Sequence, residues 1–265
     1  MSALQFLKLG GSLITDKALP STTRPEVIKR LAEEIAEAKA EDPDMRLVLG
    51  HGSGSFGHSA ADKYGTRKGI KTPGDWLGFT EVWLQASALN RLVVENLHAA
   101  GLPAVAFPPS ASALGEDGQV ASWEMAPIEN ALENGLLPVV YGDVVFDSVR
   151  GGTIFSTEDL FTHLALHLKP GRVLLAGIEE GVWADYPACT QLIETLTPHT
   201  LAEVAPALAG SMATDVTGGM ETKVRQMLSL VERLPDLEVF IFSGQHPLAV
   251  KKALLGERLG TLISS

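Results

Sequence analysis

Leu4-Gln5-Phe6-Leu7-Lys8-Leu9-Gly10-Gly11-Ser12 decides how the rest of the chain is read. An apolar run this short, stopped by two glycines, has the length and punctuation of a strand rather than a helix. Its apolar residues fall on both alternations, so both faces are to be covered, as in a parallel sheet. Lys8 stands one residue before the glycines. In an open parallel sheet, ligands bind beyond the carboxyl ends of the strands, so this exit is the first place to look for chemistry.

The same pattern repeats outward. Strand-like runs at 46–49, 103–107, 137–141, 172–176 and 237–242 alternate with helical stretches at 26–40, 75–100, 124–133 and 218–233. A further helix starts at the capping-box-like Ser156-Thr157-Glu158-Asp159 and ends near Lys169-Pro170-Gly171. Such alternation predicts an α/β fold, a three-layer αβα sandwich with a mainly parallel central sheet. Two segments, 144–156 around Gly151-Gly152 and 177–195 with its Asp185-Tyr186-Pro187 turn, read as hairpins at the sheet edge. No repeat, low-complexity tract or linker interrupts the chain, so residues 1–265 read as one domain with two halves meeting near 168–172.

The 265 residues carry a formal net charge of −11, with 45% hydrophobic and 20% charged residues. That acidic balance argues against a nucleic-acid or anionic-membrane partner, whose surfaces attract basic chains. An anionic ligand must then be held by a few local cations and backbone N–H groups. Cys189 is the only cysteine, which excludes an intrachain disulfide and a cysteine-built metal site and fits a reducing compartment. The first residues lack a basic leader with an apolar signal core. No apolar run approaches the roughly 18 residues that span a bilayer. The chain is therefore expected to be mature and cytoplasmic.

Three glycine-rich segments carry lysines. The first is Lys8-Leu9-Gly10-Gly11-Ser12, followed by Lys17; the second is Gly50-His51-Gly52-Ser53-Gly54-Ser55-Phe56-Gly57-His58 at the second strand exit. The third, Asp215-Val216-Thr217-Gly218-Gly219-Met220, precedes a helix bearing Lys223. Glycines let the backbone approach a phosphate closely and expose its N–H groups. Lys8, Lys17 and Lys223 together would neutralise a triphosphate and the charge on a transferring phosphoryl group. No P-loop string, dinucleotide fingerprint, nucleophile elbow or metalloenzyme spacing is present. Asp143, just after the strand at 137–141, is placed to orient Lys8 or Lys17 by an ion pair, or to act on Mg²⁺ indirectly. Asp159 reads as a helix-cap acid. His51 is as readily a core histidine as a functional one, whereas His58 is placed to donate a ring N–H to an acceptor phosphate. Phe79, Val82, Trp83 and Ala86, with Trp76, form an apolar stripe at helical spacing and are candidates for an apolar acceptor pocket.

With Gly142-Asp143 and the closing 256–263 segment added, these motifs make the chain resemble the amino-acid kinase superfamily over nearly its whole length. Within that superfamily, Leu13-Ile14-Thr15-Asp16-Lys17 and Phe56-Gly57-His58 resemble the isopentenyl phosphate kinase family; carboxylate kinases of the superfamily lack that histidine. The resemblance implies an ATP-dependent kinase whose acceptor is a prenyl monophosphate such as isopentenyl phosphate. It also implies Mg²⁺ carried on the ATP phosphates without direct protein ligands, and a homodimer. The halves would be acceptor-binding (1–170) and nucleotide-binding (171–265). Lys8 and Lys17 would contact the phosphates, with Lys17 stabilising the transition state. Gly10, Gly11 and Gly54 would line the nucleotide phosphates, and Gly219 and Lys223 would close over the ATP side. Ser53, Gly54, Gly57 and His58 would surround the acceptor phosphate, flanked by Thr157.

Two departures stand out. Family members often carry Thr-Asp-Val-Asp-Gly-Val where this chain has Gly177-Ile178-Glu179-Glu180-Gly181-Val182, which puts the nucleotide base or ribose contacts in question. Ser53 and Thr157 stand at positions that are often glycine. A fosfomycin-type phosphonate kinase shares the same loops and histidine and is the nearest alternative. A non-catalytic nucleotide-sensing subunit of the fold is the alternative from another class, opposed by retention of Lys8, Lys17 and Lys223.

Overall fold

The computed structural model describes residues 3–201 and 219–265, without the side chains of residues 58–60 and 62. In chain order the elements are β1 (Gln5–Leu9), α1 (Gly11–Ile14), α2 (Pro25–Glu41), β2 (Leu47–His51), α3 (Gly54–Tyr64), α4 (Pro73–Ala99), β3 (Ala104–Ala106), β4 (Ala113–Glu116), β5 (Gln119–Trp123), α5 (Ala126–Glu133), β6 (Leu137–Tyr141), β7 (Asp143–Asp147), β8 (Gly151–Phe155), α6 (Thr157–Leu168) and β9 (Arg172–Gly177). After these come β10 (Val182–Trp183), β11 (Leu192–Ile193), β12 (Thr195–Leu196), α7 (Gly219–Arg233), β13 (Glu238–Ser243), α8 (Ala249–Leu254) and β14 (Thr261–Ile263).

The main sheet has the order β12-β14-β13-β9-β1-β2-β6-β3. β1 lies between β9 and β2 and is parallel to both, with Lys8 in register with Leu175 and Gly50. Among the described residues only the β13–β14 pairing in this sheet is antiparallel. The period-two alternation of a strand then fixes which face each residue serves. Phe6, Val48, Val140, Val173 and Ile241 pack with α5, α6 and α7 through Ile128, Leu164, Val224 and Met227. Leu7, Leu9, Leu49, Leu174 and Phe240 pack on the other face with α2, α4 and α8 through Leu31, Leu89 and Val250. This is the three-layer sandwich that the alternation predicts. Lys8 shares the alternation of Phe6, so it leaves the sheet on the side of α6 and α7.

Three readings need correction. The hairpin at 144–156 is real, as β7 and β8, but it does not extend the main sheet; it belongs to a separate four-stranded sheet, β5-β4-β7-β8. Its partners β4 and β5, joined at Asp117-Gly118, were not expected, because their exposed faces break the apolar pattern. The segment 177–195 does hold a hairpin, the antiparallel β10–β11 pair of two residues each, but it forms a two-stranded sheet of its own rather than an edge of the main sheet. The second glycine segment is not a loop throughout, since α3 begins at Gly54.

One buried acid fastens α8 to the sandwich. Glu34 on α2 accepts backbone N–H bonds from Leu248 at 3.0 Å and Val250 at 3.0 Å, satisfying orphan donors at the start of α8. Arg30 pairs with Glu34 and donates through Nη2 to the Gly244 carbonyl at 2.7 Å. Glu34→Ala removes an acceptor from buried donors and is expected to cost about 3 kcal/mol. Urea denaturation at pH 7 checks this, and an unchanged midpoint would refute the clamp.

Candidate active site

The carboxyl ends of β1, β2 and β9 open into a cleft of about 290 Å³, walled on the opposite side by the first turns of α6 and α7. Lys8, Lys17 and Lys223 all line it, as do Gly10, Gly11, Ser53, Gly54, Thr157 and Gly219. Residues from distant parts of the sequence are thus gathered at one place.

Glycine is required here by close backbone approach. A Cβ on Gly11 would lie 2.4 Å from the Gly54 nitrogen, so the two glycine turns touch main chain to main chain. Gly54 has φ of 51°, a left-handed conformation in which any side chain is strained, and its Cβ would strike Thr15. Thr15 Oγ1 accepts from the Ser55 N–H at 3.0 Å and tightens the same crossing. Gly10 lines the cleft, as expected, but its own N–H is already used. Its N–H donates to the Ala176 carbonyl at 2.8 Å, so this group ties β1 to the end of β9 rather than standing ready for an anion. Lys17 sits on a loop closed by the Thr15–Thr23 bridge and pinned to α3 by the Ser21 N–H, which donates to the Ser55 carbonyl at 3.2 Å.

Lys8 forms an ion pair with Glu158, and both side chains are nearly enclosed, 12% and 10% exposed. Burial pushes the Glu158 carboxyl upward, but the charges of Lys8 and Lys223 and the Lys8 hydrogen bond outweigh it and hold the group below its ordinary value. Glu158 therefore feels the charges of two lysines, contributed by β1 and α7. Asp143 does not orient Lys8. It is fully buried, its Oδ1 accepts the Val144 N–H at 2.8 Å, and its Oδ2 has no hydrogen-bond partner among the described residues. Burial pushes its pKa up to about 7, against the Ser110 side chain and the Val144 N–H. The reason for the exchange is topological. Asp143 turns away from the cleft into β7, whereas the first turn of α6 lies on the Lys8 face of the sheet.

Asp159 is the cap acid that was expected, with Oδ2 accepting from the Ser156 N–H at 2.8 Å. It also receives Gln226 Nε2 of α7 at 3.0 Å and stands 3.5 Å from Arg67. Arg67 and Gln226 both line the cleft, and neither was singled out beforehand. Thr157 is buried and spends its hydroxyl proton on the His51 carbonyl at 2.6 Å. His51 is a core histidine: its Nε2 lies 3.2 Å from Asn90 Oδ1, its ring stacks on Tyr141, and burial lowers its pKa. Gly57 is buried on α3, where a Cβ would come within 2.7 Å of Ser53. The His58 side chain and residues 215–218 lie outside the described residues.

The apolar candidates divide. Phe79 and Val82 join Ala61, Ile70 and Val144 in a small cluster of their own, with Ile154 packed against it. Ile154 also lines the cleft, so the cluster adjoins its wall. Ala86 is buried outside that cluster, and Trp83 is 45% exposed on the outer side of α4, which removes it as a pocket residue.

The amino acid kinase family model matches residues 3–243. The chain belongs to the amino acid kinase family. The isopentenyl phosphate kinase of Methanothermobacter thermautotrophicus is 36% identical and aligns over 98% of each chain. That of Haloferax volcanii is 38% identical over 86% of this chain and 88% of its own. A solved X-ray structure of isopentenyl phosphate kinase superposes with a TM-score of 0.83 at 32% identity, covering 98% of this chain and all of that one.

Membership makes the chain an ATP-dependent kinase, and the cleft suits that chemistry. In phosphoryl transfer the protein supplies position and electrostatic stabilisation. Three lysines on separate elements, one of them fixed by a buried carboxylate, are an arrangement of that kind. Glu158 is the member that sequence reading missed. Its only signal was a second acid in a first turn already explained by capping.

Proposed function

We propose that this kinase transfers the γ-phosphoryl group of ATP to isopentenyl phosphate, forming isopentenyl diphosphate. The observation that carries the proposal is Ile154, which joins the lysine-lined cleft to the apolar cluster of Phe79, Val82 and Val144. An acceptor with a phosphate head and a short hydrocarbon tail matches that junction. A phosphate monoester is already an anionic nucleophile near neutral pH, its second pKa being about 6, so transfer to it needs no general base. The names of the relatives point the same way.

In this reading residues 1–170 hold the acceptor and residues 171–265 the nucleotide. Lys8 and Lys223 neutralise the phosphates, Lys17 follows the charge of the transferring group, and His58 donates to the acceptor phosphate. Ser53, Gly54 and Gly57 shape the acceptor phosphate site. Among the described residues no three His, Cys, Asp or Glu side chains gather around a common point. The acid beside the lysines is committed to Lys8, and Mg²⁺ enters this reading on the phosphates of ATP. Leu77, Trp83 and Leu84 leave an apolar outer face on α4, which supports a homodimer. Among the described residues no helix is long and apolar enough to cross a membrane, in keeping with a cytoplasmic enzyme.

The test is coupled ADP release with ATP, Mg²⁺ and isopentenyl phosphate, run beside dimethylallyl phosphate, fosfomycin and acetylglutamate. Turnover of another acceptor with none of either prenyl phosphate would overturn the proposal. Within the same assay, Lys17→Met is expected to lower kcat at least tenfold, about 1.4 kcal/mol of transition-state stabilisation. An unchanged kcat would remove Lys17 from the mechanism.

A further inference from the structure

We infer that Arg67 grips the phosphate of the acceptor where the cleft meets the apolar cluster. The inference rests on the phosphate-acceptor reading of this site and adds a guanidinium to its three lysines.

Arg67 stands in a single short helical turn, Thr66–Lys68, that follows α3. Gly65, with φ of 62°, supplies the left-handed backbone that ends α3 and starts this turn. The segment is fastened to β8 and to the turn before it. Buried Thr153 donates its hydroxyl to the Arg67 carbonyl at 3.0 Å, and the Ile70 N–H donates to the Arg150 carbonyl at 2.8 Å. Arg67 therefore has a fixed base, and its half-buried side chain lines the cleft together with Ile154 and Ser156. Ile70, three residues on, packs in the cluster of Phe79, Val82 and Val144 that Ile154 adjoins. One short segment thus gives a cation to the cleft and an apolar side chain to the cluster beside it.

The fold leaves this guanidinium with donors to spare. Its Nη1 is enclosed and has no hydrogen-bond partner among the described residues. Its Nη2 stands 3.5 Å from Asp159 Oδ2, an oxygen already taken at closer range by the Ser156 N–H at 2.8 Å and the Ser156 hydroxyl at 2.7 Å. The other oxygen of Asp159 receives Gln226 at 3.0 Å. Asp159 is thus a helix cap first and a counter-ion second, and the Arg67 contact is longer than the roughly 2.7–2.9 Å of a charge-assisted hydrogen bond. Glu158, the preceding residue, holds Lys8, so consecutive acids of one helical turn bring Lys8 and Arg67 to the same stretch of cleft wall. A planar guanidinium presents paired N–H groups that match two oxygens of a phosphate, which an ammonium cannot do. Of the two phosphate-bearing substrates in the proposed reaction, only the acceptor also has a hydrocarbon tail for the neighbouring cluster. Its phosphate is therefore the one placed at Arg67.

The experiment is steady-state kinetics of ADP release by the intact protein, with isopentenyl phosphate and ATP varied in turn. Arg67→Gln is expected to raise the KM for isopentenyl phosphate about thirtyfold, the scale of a hydrogen bond to a charged group, and to leave the KM for ATP within about twofold. Arg67→Lys keeps the charge but loses the fork, and should recover only part of the loss. Thermal melting separates binding from folding, since a side chain that served Asp159 alone would lower the melting temperature and leave the acceptor KM unchanged. An unchanged acceptor KM in Arg67→Gln, or equal rises in both KM values, would overturn the inference. Full recovery in Arg67→Lys would overturn the two-oxygen grip. Should the wild type turn over fosfomycin and neither prenyl phosphate, the proposed acceptor falls. A fosfomycin KM raised in Arg67→Gln would then still uphold the contact of Arg67 with the acceptor oxyanion, and an unchanged one would sink both.

Discussion

Glu158→Gln is expected to lower kcat by about a hundredfold while leaving the protein folded. Glutamine preserves the size of the side chain and removes the charge that Lys8 and Lys223 both act on. Lys8 then loses the partner that fixes its ammonium at the strand exit, and the two lysines lose the negative charge that offsets theirs. Phosphoryl transfer depends on the placement of such groups, and a displacement of about 1 Å costs roughly 10²-fold. Glu158→Asp keeps the charge but shortens the reach, and should recover part of the loss. Steady-state kinetics on each variant, with thermal melting as the folding control, decides the matter. A kcat near that of the wild type would make the Lys8–Glu158 pair purely structural. The pair also has a pH signature. Glu158 is held below its ordinary value of 4.5, so its contribution to stability is complete above that pH and is lost as pH falls through the depressed value.

What could be read from the sequence follows from the range of the interactions involved. Strand identity, the parallel sheet and the lysine-bearing glycine segments are local patterns, and the structure places Lys8, Lys17 and Lys223 along one cleft as the exit rule requires. The pairing of Lys8 was not legible, because it depends on which helix start covers which face of β1. Asp143 and Glu158 are both acids near strand or helix boundaries, and only the packing of α6 over Phe6 and Lys8 separates them. The second sheet escaped for a similar reason. β4 and β5 meet β7 and β8 through contacts that no single segment announces, and Asp147 stitches them together by accepting the Gly118 N–H at 2.8 Å. In the apolar stripe, helical spacing grouped Phe79, Val82, Trp83 and Ala86, but a stripe does not say which residues meet the cleft wall.

Asp143→Asn is expected to stabilise the protein at alkaline pH and to do little in acid. The sign follows from burial, which raises the Asp143 pKa from 3.8 to about 7. Between those values the folded state holds a proton that the unfolded state has released, so stability falls as pH rises through the window. Above it both states are ionised, and the folded protein carries a buried carboxylate whose Oδ2 has no hydrogen-bond partner among the described residues. At about 1.4 kcal/mol per pH unit, the gap amounts to roughly 4 kcal/mol at pH 8. Asparagine is close in shape to the protonated acid and never ionises. The variant should therefore match the wild type near pH 4 and melt roughly 8 °C higher at pH 8, given a few degrees per kcal/mol for a chain of this size. Parallel melting curves across that range would show that Asp143 does not titrate with folding. Gly142, its neighbour in sequence, lines the cleft. If the variant gains stability but loses turnover, the buried acid is there for the reaction; if it keeps turnover, the cost belongs to the fold alone.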